Sequence, residues 1–573
     1  MAVEKLITDH FDTWTSALQT RATAGRGSNG KIDLYGIKKL RELILELAVR
    51  GKLVPQDPND EPASELLKRI AAEKAELVKQ GKIKKQKPLP EISEDEKPFE
   101  LPKGWEWVRL GFITNYGECD KAEPTDADAD TWIVELEDIE KSTSRLLNRV
   151  TFSERPYKSS KNKFNKNDVL YGKLRPYLDK VLVADDSGVC TTEIIPIKVY
   201  GNILPGYLRL LLKSPRFIAY ANESTHGMNL PRLGTDKAIN AVVELTAIAE
   251  QSRIVNKVDE LMSLCDQLEQ QSLTSLDAHQ QLVETLLATL TDCQNAEELA
   301  ENWARISQHF DTLFTTEASI DALKQTILQL AVMGKLVPQF GGDTPIKETY
   351  ETIRRIKEKL IKEKIYQKSS VLKPKSSKLS IPENWLHAQF GEVCCSIVPN
   401  RDKPKSFSGN IPWITLPSFD ECNIYISKRN SEIGLSTEEV KAFNARIIPT
   451  GSVLMSCVGR FGLTMINKCE VVINQQIHAF IPLGGVVAEY LYFVIKASKK
   501  SLEESSTSTT IAYLNKNNCE SIEFGLPPLE EQKRIVDKVN ELIAICNLVK
   551  SRLQSAQQTQ RHLTNALTDA ALN

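Results

Sequence analysis

The stretch that decides the fold is Gln251-Ser252-Arg253-Ile254-Val255-Asn256-Lys257-Val258-Asp259-Glu260-Leu261, which occurs again as Gln532-Lys533-Arg534-Ile535-Val536-Asp537-Lys538-Val539-Asn540-Glu541-Leu542. Each copy begins a long segment whose apolar residues alternate at four- and three-residue spacings. They are Ile254, Val258, Leu261, Cys265, Leu268, Leu282 and Leu286 in the first segment, and Ile535, Val539, Leu542, Cys546, Val549, Leu553, Ala556, Leu563, Leu567 and Ala570 in the second. Such spacing predicts coiled-coil helices. Because polar residues cover the other faces, the simplest arrangement packs the two helices antiparallel within one chain.

The duplication extends beyond these helices. Ala48-Val49-Arg50-Gly51-Lys52-Leu53-Val54-Pro55-Gln56 matches residues 331–339, and His10-Phe11-Asp12-Thr13 matches residues 309–312. Leu101-Pro102-Lys103-Gly104-Trp105 matches residues 381–385. A period of about half the chain is too long for a solenoid. The sequence therefore predicts a tandem duplication with pseudo-twofold symmetry, in which the blocks 105–245 and 385–526 have diverged.

These landmarks predict an α+β protein with two mixed α/β modules, separated by long antiparallel coiled-coil helices. We expect a helical segment and linker over 1–102, a first module over 103–245 and a second module over 382–526. A central repeat region over 246–381 contains the first long helix, at 250–290, and the second long helix occupies 527–573. The symmetry is imperfect, because the second half lacks the insertion at 16–36 and Ser272, Ser275 and His279 interrupt the first heptad pattern.

Composition excludes several classes of protein. Basic and acidic side chains number 73 and 75 in 573 residues, so any nucleic-acid-binding surface must be local. The 11 cysteines contain no Cys-x-x-Cys pair, and we find neither a signal peptide nor an apolar run of transmembrane length. We therefore expect a cytoplasmic protein without a membrane segment, in which Cys265 and Cys546 are buried apolar residues of the helices.

The nearest approach to an enzyme motif is Gly25-Arg26-Gly27-Ser28-Asn29-Gly30-Lys31, which has the spacing of a phosphate-binding loop. The next residue is Ile32, so the Mg²⁺-binding hydroxyl is missing, and no apolar strand precedes the loop. A flexible insertion is the better interpretation. We find no methyltransferase tetrad, no nuclease carboxylate–lysine spacing and no zinc-ligand spacing. The sequence predicts a recognition protein with no catalytic, metal-binding or cofactor-binding residue of its own.

Charge within the first module favours DNA. Residues 117–140 are strongly acidic, whereas residues 141–180 are strongly basic and include several aromatic residues. Lysine and arginine neutralise phosphates, while arginine, glutamine and asparagine can bind base edges. The candidate DNA-binding residues are Lys161, Lys163, Lys173, Arg175, Tyr177, Asn229 and Arg232 in the first module, and Arg401, Lys403, Arg460, Gln475, Gln476 and Thr509 in the second. The alternative at each position is a solvated charge or a turn residue, and for a single lysine a phosphate contact is expected before a base contact.

The second module repeats the layout of the first. Ser452-Val453-Leu454-Met455-Ser456 matches residues 168–172, and the turn at 457–462 matches the turn at 172–176. Asn474-Gln475-Gln476 takes the place of Cys190-Thr191-Thr192. The pattern indicates a shared fold whose loops carry different specificities.

Three repeated motifs carry a family resemblance: the two Gly-Lys-Leu-Val-Pro-Gln segments, the two Leu/Ile-Pro-x-x-Trp segments and the two Glu-Gln-x-x-Ile-Val helix starts. Together they resemble the specificity subunit of type I restriction–modification enzymes. The resemblance implies two target-recognition domains, each binding one half of a bipartite site in double-stranded DNA. It also implies that the repeated regions dock two methyltransferase subunits, that two restriction/translocase subunits join them, and that S-adenosylmethionine, ATP and Mg²⁺ belong to those partners.

The residues themselves agree with this resemblance. Two modules about one DNA turn apart, roughly 34 Å, would face the same side of a duplex and leave the bases between them unread. Different modules predict an asymmetric site, and a repeated scaffold predicts two copies of one partner. The alternative is a non-catalytic coiled-coil adaptor whose two modules bind proteins, which the neutral net charge also permits.

Overall fold

In the computed structural model, the described residues are 3–21, 31–227, 229–368, 371–375, 379–399, 403–420, 423–427, 430–504 and 513–572. The chain forms two compact units. The first comprises Met1–Ser275 and Ala556–Asn573, and the second comprises Leu276–Ser555. Both divisions fall inside the two long helices. Each unit therefore contains one module, the first part of one long helix and the last part of the other.

The first unit begins with short helices and ends in a long one. Its helices are α1 (Val3–Asp9), α2 (Phe11–Ser16), α3 (Tyr35–Val49), α4 (Ala63–Lys79), α5 (Leu110–Ile113), α6 (Pro205–Lys213), α7 (Pro215–Glu223), α8 (Thr235–Asn240) and α9 (Ile248–Asp292), of which residues 276–292 belong to the second unit. Its strands are β1 (Gln19–Arg21), β2 (Lys31–Asp33), β3 (Glu106–Arg109), β4 (Lys121–Ala122), β5 (Trp132–Val134), β6 (Val150–Thr151), β7 (Lys161–Phe164), β8 (Val169–Gly172), β9 (Val181–Val183), β10 (Gly188–Cys190), β11 (Ile194–Ile197), β12 (Thr225–His226), β13 (Arg232–Leu233) and β14 (Val242–Leu245).

The second unit has an equivalent set of elements. Its helices are α10 (Ala296–Gln308), α11 (Phe310–Leu313), α12 (Glu317–Val332), α13 (Ile346–Lys362), α14 (Phe390–Val393), α15 (Thr437–Ala442), α16 (Ala488–Ala497), α17 (Lys499–Glu504), α18 (Lys516–Glu520) and α19 (Leu529–Leu572), of which residues 556–572 belong to the first unit. Its strands are β15 (Leu386–Gln389), β16 (Cys394–Ile397), β17 (Ile411–Ile414), β18 (Tyr425–Ile426), β19 (Gly434–Leu435), β20 (Val453–Ser456), β21 (Thr464–Asn467), β22 (Val472–Ile473), β23 (Ile477–Pro482) and β24 (Glu523–Leu526).

Mixed sheets form the body of each module. The first module has a five-stranded sheet in the order β4-β7-β10-β5-β6 and a three-stranded sheet in the order β11-β8-β9. The second has a five-stranded sheet, β16-β23-β20-β21-β18, and a three-stranded sheet, β19-β17-β22. Each module contains parallel pairing, at β10 with β5 and at β17 with β22. This arrangement, with the long helices, confirms the predicted α+β class.

A two-stranded ladder closes the base of each module. Strand β3 pairs with β14 so that Glu106 lies opposite Leu245, and β15 pairs with β24 so that Leu386 lies opposite Leu526. Entry and exit of each module are therefore adjacent. The tryptophan of each Pro-x-x-Trp motif fixes this ladder to the start of a long helix, because Trp105 Nε1 donates to Glu250 Oε2 at 2.9 Å and Trp385 Nε1 donates to Glu531 Oε1 at 3.0 Å.

The glycines of the repeated Gly-Lys-Leu-Val-Pro-Gln motif follow α3 and α12. Gly51 has φ +64° and Gly334 has φ +72°, in the left-handed region that favours glycine. A Cβ at these positions would lie 2.6 Å from Pro102 Cγ and 2.4 Å from Pro382 Cγ. Each glycine therefore lets the helix end pack closely against the residues that lead into the module.

Within the first unit, helix α3 packs against parts of both long helices. Arg41 on α3 forms ion pairs of 2.7 Å with Asp266 and with Glu269 on α9, while Gln56, beyond the end of α3, donates to Glu250 near the start of α9. Helices α3 and α9 therefore run in opposite directions.

The last part of α19 runs in the same direction as α3. Tyr35 at the start of α3 donates to Asn565 at 2.7 Å, and Lys52, just after α3, donates to the backbone oxygen of Leu572 at 2.6 Å. The parts of α9 and α19 that lie in this unit are consequently antiparallel, as the sequence predicted.

The second unit repeats this arrangement with reversed charges. Lys550 on α19 pairs with Glu317 at 3.4 Å and with Asp321 at 2.8 Å on α12. Lys335 Nζ donates to the backbone oxygen of Thr291 at 2.7 Å, at the end of α9. In the duplicated alignment Lys550 is the equivalent of Glu269. The long helix is therefore acidic at this position in one unit and basic at the same position in the other.

The predicted heptad residues form the cores near the start of each long helix. Ile254, Leu261, Ile535 and Val539 are fully buried, and Cys265 and Cys546 are 1% and 3% exposed, which confirms the predicted apolar role of both cysteines. Farther along, the prediction is wrong: Leu282, Ala556, Leu563 and Ala570 are exposed, and α9 buries Val283, Leu287 and Leu290 instead, because a straight helix drifts relative to a seven-residue repeat. No helix in the described part of the chain is long and apolar enough to cross a membrane.

A buried histidine in the second module leads to a prediction about acid stability. His478 on β23 stacks on Phe480 with a centroid distance of 4.5 Å, and its Nε2 has no hydrogen-bond partner among the described residues. Burial lowers the pKa of His478 to about 4. Between that value and the ordinary value near 6.5, the unfolded chain binds more protons than the folded chain, so the free energy of unfolding falls as the pH falls.

Between pH 7 and pH 4, we expect the wild type to lose up to about 3 kcal/mol of unfolding free energy through His478. The variant His478→Phe should not show this loss. Urea denaturation of both proteins across this pH range measures the difference. The matched control is His562→Phe, at an exposed position of α19. Equal pH dependence in wild type and His478→Phe would contradict the prediction.

Candidate nucleic-acid interface

In the first module, the turn after β8 lies against the β12–β13 hairpin. The backbone amide of Arg175 donates to Pro231 O at 2.7 Å, and that of Leu233 donates to Lys173 O at 3.0 Å. Arg175 has φ +52°, in the left-handed region. These contacts bring together five of the predicted DNA-binding residues, and the members of this cluster are Lys173, Arg175, Tyr177, Asn229 and Arg232. Arg175 and Asn229 are exposed and Tyr177 is 53% exposed, so the cluster presents positive charge, an amide and an aromatic ring at one surface.

Glu193 belongs to the same cluster and was not among the sequence candidates. Its carboxylate accepts two hydrogen bonds from Arg232, at 2.9 Å from Nε and 3.1 Å from Nη2. Hydrogen bonding to this carboxylate raises the pKa of Arg232. The backbone oxygen of Glu193 accepts from the amide of Lys173 at 3.0 Å. A carboxylate is therefore fixed among the basic residues of the turn.

Lys161 and Lys163 lie apart from this cluster, on β7. Lys161 is largely buried, pairs with Glu135 and lies 5.7 Å from the ring centroid of Tyr157. Lys163 is about half exposed and lies 3.7 Å from Asp126. The acidic segment 117–140 thus supplies partners for both lysines, which reduces the charge that they offer to another molecule.

The second module contains an equivalent turn. The amide of Leu514 donates to Cys457 O at 2.9 Å, and Val458 forms a β-bridge with Tyr513. The amide of Cys457 donates to Gln476 O at 2.9 Å, as that of Lys173 does to Glu193 O in the first module. Arg460 and Gln476 are exposed and Gln475 is partly exposed beside this turn. Lys403 is exposed in a separate segment, while Arg401 and Thr509 lie outside the described residues.

The backbone shifts the predicted alignment of the modules by one residue. Thr191 donates its amide to Val134 O at the end of β5, and Asn474 donates its amide to Ile414 O at the end of β17. Asn474-Gln475-Gln476 therefore corresponds to Thr191-Thr192-Glu193, not to Cys190-Thr191-Thr192. The sequence match was wrong because the amide contacts with the parallel neighbour strand, which fix the register, cannot be read from side-chain types. Gln476 is thus the equivalent of Glu193, and Tyr513 is the equivalent of Arg232.

A buried lysine supports the first turn from within. Lys213 Nζ, at the end of α6, donates to Asp179 Oδ2 at 2.6 Å, to Ser142 O at 2.7 Å and to Ser144 Oγ at 2.8 Å. Burial raises the pKa of Asp179 to about 6 and lowers the pKa of Lys213. The Lys213–Asp179 pair joins the 173–180 turn to the loop at 142–144, so buried hydrogen bonds hold the exposed turn in place.

Among the described residues, no group of three or more histidine, cysteine, aspartate or glutamate side chains could hold a metal ion. Most of the Gly25–Lys31 segment, from Gly25 to Gly30, lies outside the described residues. The candidate interface consists of the two turns, which share one backbone arrangement and carry different side chains.

Comparison with known proteins identifies related chains. The family model for the type I restriction modification DNA specificity domain matches residues 382–558. The specificity subunit of the type I restriction enzyme EcoAI from Escherichia coli is 45% identical over 606 residues, covering 100% of both chains. The EcoEI specificity subunit from the same species is 45% identical over 609 residues, again covering 100% of both. A solved chain from work on complex assembly and conformational transition of the type I R-M system is similar in fold, with a TM-score of 0.52 at 20% identity, covering 83% of this chain and 99% of that chain.

Proposed function

Because this chain belongs to the specificity subunits of type I restriction enzymes, we propose that residues 103–245 and 382–526 are target-recognition domains that each bind one half of an asymmetric, bipartite site in double-stranded DNA. The chain is a DNA-recognition subunit and not the catalyst. The observation that carries the proposal is the repeated turn with different side chains. Lys173, Arg175, Glu193 and Arg232 stand in the first module where Cys457, Gly459, Gln476 and Tyr513 stand in the second. Different contact groups on one backbone predict two different half-sites.

The helical regions are the proposed docking surfaces for partner subunits. Leu264 and Leu282 on α9 are 42% and 51% exposed, and their equivalents on α19, Ile545 and Leu563, are 47% and 46% exposed. Exposed apolar residues at equivalent positions of two long helices support the docking of one kind of apolar partner surface twice. We propose two methyltransferase subunits on these surfaces and two restriction/translocase subunits joined to them. S-adenosylmethionine, ATP and Mg²⁺ would be bound by those partners.

We propose that the complex acts in the cytoplasm. The described cysteines are all free thiols, and most are buried, as is common in a reducing compartment. The adaptor alternative has no comparable support, because the relatives that match the whole chain are specificity subunits.

A base-modification map tests the proposed function. Host DNA is compared with and without this chain, the methyltransferase subunit being present in both. We expect modification at a split, asymmetric motif that disappears when the chain is absent. An active methyltransferase complex that modifies DNA at the same positions without the chain would contradict the proposal.

Removing Arg175 tests the phosphate-binding role of the first turn. With Arg175→Ala we expect DNA binding by the methyltransferase complex to weaken about five- to tenfold at physiological salt, because one cation near the DNA is lost. The slope of log K against log salt should fall by about one. The matched control is Arg149→Ala in the same module, since Arg149 is paired with Asp185 and Asp186. Filter binding at several salt concentrations measures both quantities. An unchanged slope for Arg175→Ala would remove Arg175 from the interface.

A further inference from the structure

We propose that position 193 and its equivalent, position 476, are base-reading positions: Glu193 accepts a hydrogen bond from the amino group of a cytosine in one half-site, and Gln476 binds an adenine in the other. The inference rests on the proposed function, since it assumes that the two turns face DNA. It assigns a recognition chemistry to Glu193, which was not among the sequence candidates, and names the base for Gln476, which was among them.

The first argument is the fixed position of Glu193. Its backbone oxygen is bound to the amide of Lys173, and its carboxylate is held by two hydrogen bonds from Arg232. Arg232 is itself held, because Nη1 donates to Leu230 O at 3.3 Å. The Glu193 side chain is 26% exposed. A side chain with its rotamer fixed at a surface loses little conformational entropy on binding a base.

The second argument is the acceptor chemistry of a carboxylate. Each oxygen has two acceptor positions, so the bonds from Arg232 leave further lone pairs available. An ionised carboxylate can only accept, and in the major groove amino donors belong to cytosine and adenine. Adenine also presents the N7 acceptor beside its amino group, which a carboxylate would repel. Cytosine is therefore the base that Glu193 fits.

The third argument is electrostatic. A carboxylate near DNA is repelled by phosphates, and alone it would weaken binding. Here Arg232 is hydrogen-bonded to the carboxylate, and Lys173 and Arg175 lie on the turn whose backbone is bound to Glu193 and to the hairpin. Neighbouring cations offset the repulsion, so the carboxylate can serve base selection while the cations serve affinity.

The second module carries a different group at the same place. Gln476 is exposed, and its Oε1 accepts from Asn474 Nδ2 at 3.1 Å, which orients the amide. A glutamine amide both donates and accepts, the combination that matches the N6 and N7 edge of adenine. The backbone position is conserved between the modules and the recognised base changes with the side chain, which agrees with an asymmetric site.

The decisive experiment exchanges the two side chains. Glu193→Gln and Gln476→Glu are each assembled with the methyltransferase subunit, and methylation is measured on a DNA library in which every base of both half-sites is randomised. For Glu193→Gln we expect about a tenfold loss of preference for cytosine over adenine at one position of the first half-site, with the second half-site unchanged. For Gln476→Glu we expect the opposite shift, from adenine toward cytosine, at one position of the second half-site only. The matched control is Glu137→Gln, an exposed carboxylate of the first module, which should leave the motif unchanged.

The methylated DNA motif distinguishes base reading by Glu193 from a purely structural role of that residue. If Glu193 only braced Arg232, Glu193→Gln would alter the amount of methylation and leave base preference at every position as in the wild type, and that result would overturn the inference. A change in both half-sites would also overturn it. If Glu193→Gln does not assemble with the methyltransferase subunit, Gln476→Glu provides the test. An unaltered second half-site in that variant would refute base reading at the shared position. Failure of the proposed function looks different, since the wild-type chain would then direct no split motif at all.

Discussion

A chain whose residues 106–245 are replaced by a second copy of residues 386–526 is expected to direct methylation to an inverted repeat of one half-site. Modification at the original asymmetric site should be lost completely. The physical reason lies at the base of each module, where β3 pairs with β14 and β15 pairs with β24 in the same antiparallel register. The hydrogen bond that joins the ladder to a long helix is also the same in both units: Trp105 donates to Glu250, and Trp385 donates to Glu531. The graft therefore meets the same strand ladder and the same tryptophan–glutamate hydrogen bond at its junction.

The reciprocal exchange provides the control for this prediction. Replacing residues 386–526 with residues 106–245 should yield an inverted repeat of the other half-site, so the two hybrids together reconstruct the wild-type motif. Base-modification maps of cells that express each hybrid with the methyltransferase subunit supply the measurement. A hybrid that still modified the asymmetric site would show that base recognition resides outside the exchanged residues.

Replacement of Lys213 by methionine is expected to cause a large loss of stability in the first module. Lys213 and Asp179 are 7% and 12% exposed, and Asp179 Oδ1 already has no hydrogen-bond partner within the described residues. Removing the ammonium leaves a buried carboxylate without its cation, which typically costs about 3–5 kcal/mol. Because burial already raises the pKa of Asp179 to about 6, the cost should be greatest above that pH and smaller near pH 5, where the carboxyl can bind a proton.

Hydrogen exchange locates the effect of Lys213→Met. We expect faster exchange of the amides of β8 and β9, with little change in the second module, and a lower urea midpoint at pH 8 than at pH 5 relative to wild type. The matched control is Lys496→Met, at the equivalent position of α16, where the ammonium lies 5.7 Å from the ring of Tyr492. That control should cost much less. Equal losses for the two variants would mean that the Lys213–Asp179 pair does not hold the turn.

The repeats allowed much of the fold to be predicted. Heptads and duplicated motifs are local patterns that survive in one sequence, so the long helices, the α+β class and the antiparallel pairing of the helices followed from them. Both tryptophans of the Pro-x-x-Trp motifs could be aligned, although their glutamate partners could not be seen, since each contact spans more than a hundred residues.

The candidate interface was less predictable, for a physical reason. Lys161 and Arg175 look alike in a basic segment, yet one is paired with Glu135 and the other is exposed on a turn. Glu193 was missed because a lone acid in the chain gives no sign that a hairpin will place Arg232 beside it. Such ion pairs depend on strand register and on distant loops, neither of which has a periodic signal. The exposed turn residues were found because aromatic and basic residues near glycine and proline are a local pattern.

The reversed charges on the two helical bundles have a consequence for how a duplicated chain avoids misfolding. During folding, α3 and α12 each encounter two nearly identical helix starts, and tandem repeats are prone to exchange partners. In the native pairing Arg41 meets Glu269, and Lys550 meets Glu317 and Asp321. Exchanged pairing would bring Arg41 to Lys550, whereas Glu269 would meet the two acids of α12 together with Lys324, the equivalent of Arg41. Like charges at the contact between Arg41 and Lys550 disfavour the exchanged assembly, so the charge at this position of the long helix favours pairing within the same half of the chain.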